Sequence, residues 1–157
     1  MKPADLVFCS WRSHYQALLK GIPPDLVKKR IMEGKSISLC FPEHRFYSSA
    51  IVGGIIPQAV GVAWSIKKQG ASEQVWCFIG DMTSEGSAAF LGIKYAENFD
   101  LPITFVVEDN GLSVCTDTKL TWNQPEATWR KKTSAKVRYY EYSSKYPHAG
   151  AGVRVQF

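Results

Sequence analysis

Two polar residues stand where long apolar runs end. Asp81 follows QVWCFI (residues 74–79) and Gly80, and Asn110 follows LPITFVV (residues 101–107) and Glu108-Asp109. A carboxylate and an amide oxygen are hard donors. With a backbone carbonyl just after Asn110 they can fill three positions of an octahedral magnesium ion. Two phosphate oxygens and a water then complete the shell. Simpler uses fit the same residues: Asp81 as a helix cap, Asn110-Gly111 as a turn. Spacing within each segment leaves both uses open.

Something must carry these residues to one place. Both runs have strand length and are apolar at odd and even positions, as in strands covered on two faces. Residues 84–99 between them read as a helix, with Glu85 in its first turn where the macrodipole favours an acid. Strand, helix and strand make a βαβ unit in a parallel sheet. Ligands of such sheets sit beyond the carboxyl ends of the strands. A helix starting near Ser84 points free N–H groups at that edge, which favours phosphate.

Upstream, residues 5–20 read as a helix, with Leu6, Trp11, Tyr15, Leu18 and Leu19 near helical spacing and Gly21 as a stop. Pro23-Pro24 starts a second helix through Met32, closed by Gly34. Residues 35–49, with Pro42, read as a loop. Residues 55–68 read as a helix, with Pro57 in its first turn, Gly70 after it, and Ala59, Gly61 and Ala63 permitting close packing. Residues 117–135 read as loop and short helix, and residues 136–142 and 153–157 as strands. No repeat or low-complexity linker interrupts the chain, so one α/β domain over residues 1–157 is expected, with its motif-bearing core at 5–116.

A chain of 157 residues matches one domain and can bury roughly 68–70% of its unfolded surface. It is 45% hydrophobic, 13% aromatic and 21% charged, which excludes a disordered or collagen-like chain. The net charge of +5 suits an anionic ligand, and no recognised nucleic-acid motif accompanies it. Lys28-Lys29-Arg30 and Arg130-Lys131-Lys132 read as solvated faces. Cys9, Cys40, Cys77 and Cys115 form no Cys-x-x-Cys pair, so neither zinc nor a redox motif is signalled. Cys77 reads as a buried free thiol. No signal peptide or sequon is found, and the apolar window at 50–64 is too short and too rich in glycine and proline to span a membrane. A reduced, cytoplasmic, soluble protein is expected.

The order of motifs is more specific. Gly80-Asp81 precedes Asp109-Asn110 across one helix and one strand, 29 positions from Asp81 to Asn110. This resembles the thiamine diphosphate motif Gly-Asp-Gly followed by Asn-Asn, with Met82 for the third glycine and Asp109 for the first asparagine. GDMTSEGSAAF and LPITFVVEDNGLSV resemble the alpha subunit of 2-oxoacid dehydrogenases, such as the pyruvate, acetoin and branched-chain enzymes. AIVGGIIPQAVGVAWSIKKQG (residues 50–70) is similar to that family's Gly-Ile-Val-Gly-x-x-x-Pro segment, with Ala50 for the first glycine. WRSH (residues 11–14) resembles Tyr-Arg-x-His, and FPEHRF (residues 41–46) the loop that follows. An ordered set of this kind is far more specific than a lone motif.

The resemblance implies a three-layer, parallel-sheet diphosphate-type domain in a short form. It implies magnesium held by Asp81, the Asn110 side chain and the Leu112 carbonyl. Arg12 would hold the diphosphate, where a guanidinium fork suits phosphate. Trp11 replaces a tyrosine whose hydroxyl also reaches the phosphate. His14 matches a histidine near the phosphate end, or is a packed, hydrogen-bonded one. Gly80 lets the backbone turn beside the cofactor, and Met82 stands at the place of the motif's third residue. Ile51, Val52 and Gly53 match the segment near the aminopyrimidine, or pack a helix start. Ser36-Ile37-Ser38 stands where the family has Ser-Met-His. Ser38 thus replaces a substrate-handling histidine, and His44 is either its substitute or an exposed loop residue. His148 is unassigned.

The implied activity is decarboxylating oxidation of a 2-oxo acid, with the cofactor as electron sink and this chain anchoring the diphosphate. The pyrimidine-binding domain, with the activating glutamate, would belong to a separate beta-like subunit in a two-plus-two heterotetramer. Alternatives are a ketol- or acyl-transferring, transketolase-like subunit acting on a ketose, and a degenerate partner-binding subunit suggested by Trp11, Ser38 and Met82. Neither nucleic acid nor membrane is an expected partner.

Overall fold

The run VWCFIG has no polar face, so both of its sides must be covered. In the computed structural model, which describes residues 1–143, it lies inside a six-stranded sheet. The elements, in chain order, are β1 (Leu6–Ser10), α1 (His14–Leu19), α2 (Pro24–Met32), β2 (Cys40–Phe41), a 3-10 turn (Pro42–His44), β3 (Phe46–Ser49), α3 (Ile55–Gln69), β4 (Val75–Gly80), α4 (Asp81–Ser84), α5 (Ser87–Asn98), β5 (Ile103–Asp109), β6 (Leu112–Ser113), β7 (Thr116–Asp117), α6 (Thr118–Trp122), α7 (Thr128–Lys131) and β8 (Val137–Glu141). The strand order is β2-β3-β1-β4-β5-β8. Within that sheet the β2–β3 pair is antiparallel and the other described pairs are parallel, while β6 and β7 form a separate antiparallel pair. The predicted strand at 153–157 and His148 lie outside the described residues.

Alternate strand residues feed two cores. One holds Phe8, Cys77, Ile79, Phe105 and Val107 against Ile56, Ala59 and Ala63 of α3 and Ile93 of α5. The other holds Val7, Cys9, Phe46, Phe78 and Val106 against Ala17, Ile22 and Val27 of the α1–α2 layer. The predicted α/β class, βαβ unit and helices at 24–32 and 55–68 match this arrangement. No helix among the described residues is long and apolar enough to cross a membrane.

Three expectations are corrected. Residues 5–20 are a strand followed by a short helix. LVFCS is apolar at both parities and pairs on both sides, with β3 and β4, while Tyr15, Leu18 and Leu19, which suggested one long helix, are exposed. Asp5 is not a helix start; it is buried and accepts bonds from the Lys2, Gln74 and Trp76 nitrogens, tying β1 to β4. Residues 35–49 are not a loop throughout. Arg45, with φ 54, reverses the chain after the 3-10 turn, and FYSS then pairs with β1. The helix at 84–99 is broken at Gly86, the N-cap of α5. Glu85 leaves the helix and accepts from the Thr128 N–H and hydroxyl, both at 2.7 Å, capping α7 instead.

α3 and α5 touch where Gly92 has no side chain. A Cβ there would lie 2.6 Å from the Ile56 Cγ2, a β-branched and fully buried neighbour. Gly92→Ala gains helix propensity but overpacks this contact, and is expected to destabilise by about 1–2 kcal/mol. Chemical denaturation reads this; an unchanged or higher midpoint would show that the two helices separate freely.

Candidate functional site

Parallel strands end together. The edge at their carboxyl ends therefore receives residues 50–54 from β3, 11–14 from β1, Asp81 from β4 and 110–112 from β5. β2 runs the other way, so the residues before it, including Ser36 and exposed Ser38, arrive at the same edge. The chain leaves β1 for β3 on one side and comes back from β3 to β4 on the other. A crevice at such a switch point is the usual ligand site of open α/β sheets. Arg12 follows one bounding strand and Asp81 the other.

His44 does not reach this edge. It precedes β3, about 13 Å along the strand from its carboxyl end, and its ring packs edge-on to Phe41. Its proposed role as the substitute histidine is corrected by strand direction alone.

The register Gly80↔Glu108 sets Asp81 beside Asp109. Both are buried, at 2% and 6% exposure, and they are treated differently. Asp109 Oδ1 accepts from the Gly111 N–H at 2.8 Å, and Oδ2 accepts from the Tyr139 hydroxyl. Asp81 Oδ2 is buried without a hydrogen-bond partner among the described residues, and so is the Thr118 hydroxyl. Burial and the neighbouring Asp109 charge raise the Asp81 carboxyl above its ordinary range. Asp81, Asp109, Gly111 and Thr118 line a cavity of ≈ 10 Å³, about one water or a bare ion. No group of three or more His, Cys, Asp and Glu among the described residues is placed to hold a metal. Lys119 and Gln124 also line this cavity, whereas Asn110 and Leu112 lie outside its lining; a divalent ion at the strand edge would draw on mixed oxygens, the Asp81 carboxylate, an amide and a carbonyl. Those donors suit magnesium, and a buried carboxylate oxygen without a hydrogen-bond partner favours a cation. Asn110 sits one residue beyond β5; its Oδ1 accepts from the Leu112 N–H at 3.1 Å, which closes the turn toward Leu112.

Across the crevice, Arg12 is exposed, its guanidinium carbon 5.9 Å from the Trp11 ring. His14 Nε2 lies 2.8 Å from the Ser36 hydroxyl. Burial, then the Arg12 charge, lowers the His14 pKa, so the ring favours its neutral form. Ile51 and Val52 are 72% and 63% exposed; they pack no helix start. Gly53 turns at φ 73 with a Cβ position 3.5 Å from Ala88. Met82 is half-buried, its sulfur accepting from the Trp122 indole at 3.2 Å. The edge thus gathers Trp11, Arg12, His14, Ser38, Ile51, Val52, Gly53, Gly80, Asp81, Met82, Asn110 and Leu112, and leaves out His44. Sequence reasoning missed Thr118 and Glu108. Thr118 follows the strand-end loop at a distance no local window spans. Glu108 had a signal: a charge ending an otherwise apolar run.

The family model described as "Dehydrogenase E1 component" matches residues 1–135. The pyruvate dehydrogenase E1 component subunit alpha of Rickettsia prowazekii is 27% identical over 73% of this chain and 38% of its own length. The chloroplastic subunit alpha-3 of Arabidopsis thaliana is 29% identical over 82% of this chain and 33% of its own. The human mitochondrial 2-oxoisovalerate dehydrogenase subunit alpha is 27% identical over 73% and 28%. The chain spans about a third of the length of the curated relatives it matches.

Since burial and Asp109 raise the Asp81 pKa, stability from this group is present below the ordinary carboxylate pKa and is lost as pH rises through the folded value. Asp81→Asn is therefore expected to stabilise the metal-free chain at pH 7, by roughly 1 kcal/mol or about 2–4 °C. The gain should vanish at acid pH. Thermal melts at both pH values check it; equal or lower stability of the variant at pH 7 would contradict the raised Asp81 pKa.

Proposed function

Because the chain belongs to the dehydrogenase E1 component family, we propose that it is an alpha-like unit of a thiamine diphosphate- and magnesium-dependent enzyme acting on a 2-oxo acid. The observation that carries this is the buried, partnerless Asp81 oxygen at a sheet edge shared with Asn110 and Arg12. Asp81, the Asn110 side chain and the Leu112 carbonyl would hold magnesium. Arg12 would hold the diphosphate, and Gly80 keeps side-chain bulk away from it. The bound cofactor would supply a nucleophilic carbon and an electron sink for decarboxylation. This chain would anchor and aim it; Asp109, satisfied by Gly111 and Tyr139, holds the turn that carries Asn110.

The residues around the pyrimidine would come from a separate beta-like subunit, in a two-plus-two heterotetramer. Exposed Ile51 and Val52 at the edge support a second chain closing the site. Ser38 would take the substrate side, now that His44 is at the other end of the sheet. Residues 1–157 would act as one diphosphate-binding domain in the cytoplasm. A second reading, a subunit that keeps the fold but no longer turns over substrate, draws on Met82, whose side chain fills the third-glycine position under Trp122. A ketol- or acyl-transferring relative shares all the anchoring residues.

Calorimetric titration of thiamine diphosphate with Mg²⁺, into the chain together with its beta-like subunit, is the test. Asp81→Ala should weaken binding by about 100-fold and Arg12→Ala by about tenfold. An Asp81→Ala protein that binds as well as its parent would sink the proposal. Decarboxylation of a 2-oxo acid by the assembled complex would remove the second reading.

A further inference from the structure

Glu108 stands one residue before the end of β5, on the sheet face that α1 covers. Its register partners are Gly80 on β4 and Tyr140 on β8. Gly80 has open space where a side chain would be. Gln16 of α1 meets Glu108, its Nε2 lying 2.8 Å from both carboxylate oxygens. From the β8 side the Tyr140 hydroxyl donates to Oε1 at 2.6 Å. The Glu108 charge also reaches the buried Cys9 thiol near the end of β1, which with burial is pushed up. The carboxylate therefore lies by the crevice between β1 and β4.

α1 is tied at its ends by His14 Nε2, 2.8 Å from the Ser36 hydroxyl, and by the Nζ of Lys20 just after it, which donates to the Lys2, Pro3 and Asp5 carbonyls. Gln16 and Ala17 are its buried residues, whereas Tyr15, Leu18 and Leu19 are exposed. Along its buried face the Gln16–Glu108 bond ties α1 to β5, the strand that leads to Asn110. Gln16 is four residues after Arg12, in the helix that follows it, and Glu108 is two residues before Asn110. These two segments must hold one anion and its cation if the function proposed above is right, and this inference rests on that reading.

We propose that Glu108 is a positioning residue. Through Gln16 it sets the Arg12 segment at a fixed place relative to Asp81 and Asn110, so that one diphosphate meets both. A carboxylate suits the position because it accepts from a donor on each side at once. An apolar residue there would leave the buried Gln16 amide unpaired.

Two titrations of the full chain test this: Mn²⁺ alone, followed by its electron paramagnetic signal, and inorganic pyrophosphate with Mg²⁺, followed by calorimetry. Gln16→Leu should leave Mn²⁺ affinity within about twofold and weaken pyrophosphate about tenfold, since it shifts one segment and not the other. The exchange Gln16→Glu with Glu108→Gln rebuilds the amide–carboxylate bond in reverse and should recover pyrophosphate binding to within about threefold. Tyr140→Phe, which leaves α1 alone, should bind as the parent does. Parent-like pyrophosphate binding by Gln16→Leu would overturn the inference, as would equal loss of both ligands or failure of the exchange to recover binding. A parent chain that binds neither probe would overturn the proposed function, and this inference with it.

Discussion

The parallel pairing of β4 with β5, Gly80 opposite Glu108, is the constraint on which the edge depends. Side chains alternate between faces along a strand. Asp81 and Asp109 therefore continue the parity of Ile79 and Val107, above the α3–α5 core. Gly80 and Glu108 continue the parity of Phe78 and Val106, toward α1. One face of the strand ends receives the two acids and their cavity; the other receives a gap and a carboxylate that fills it with Gln16. A slip of one residue would exchange these sets and bury Glu108 under α5. Apolar residues at both parities of VWCFIG and ITFVVED hold the register, because each face has its own core to satisfy.

That register also creates an electrostatic problem. Two carboxylates are brought together out of water, where each disfavours the other's charge. Asp109 is compensated by an N–H and a phenol. Asp81 keeps one oxygen without a hydrogen-bond partner, and the nearby Thr118 hydroxyl offsets burial only in part. Among the buried, unpartnered side-chain atoms of the described residues, Asp81 Oδ2 is the one on an ionisable group, which marks it as a candidate site of function. The ligand it calls for is cationic and small. The exposed arginine across the crevice calls for an anion. A metal-bound phosphate answers both.

Legibility in the sequence followed how local the evidence was. β4, β5, α2 and α3 show in single windows: apolar runs of strand length, Pro23-Pro24 before a helix, Gly70 after one. Asp81 and Asn110 were legible because a strand end delivers its next residue to the edge without help from distant contacts. β1 was not, because five apolar residues beside a short exposed helix mimic one longer helical stripe. β3 hides behind Pro42 and a left-handed Arg45, local features of a loop, and only its pairing with β1 makes it a strand. Glu85 reads as a helix-start acid until Gly86 breaks the helix and Thr128, 43 positions on, takes the carboxylate. Gln16 and Glu108 are 92 positions apart, and no periodicity connects them.

The two sides of the crevice are built with unequal rigidity, and this bears on how the site would be completed. Asp81 and Asn110 extend from central strands packed on both faces. Arg12 lies in the segment just before a short helix that is tied by His14 to Ser36, by Gln16 to Glu108 and by Lys20 to the carbonyls before β1. Ile51 and Val52 stand on a tight turn: the Ile51 N–H is held by the Ser49 hydroxyl, the Gly54 N–H by the Ile51 carbonyl, and Gly53 is left-handed. A turn this well bonded cannot fold its apolar side chains inward, so it presents them outward beside a polar edge. Exposed apolar residues on a rigid mount lose little entropy on being covered. In the proposed site the metal side would be formed in advance, the phosphate side would be tied to it through Glu108, and the apolar side would receive another surface. That division agrees with a cofactor site of which this chain supplies one wall.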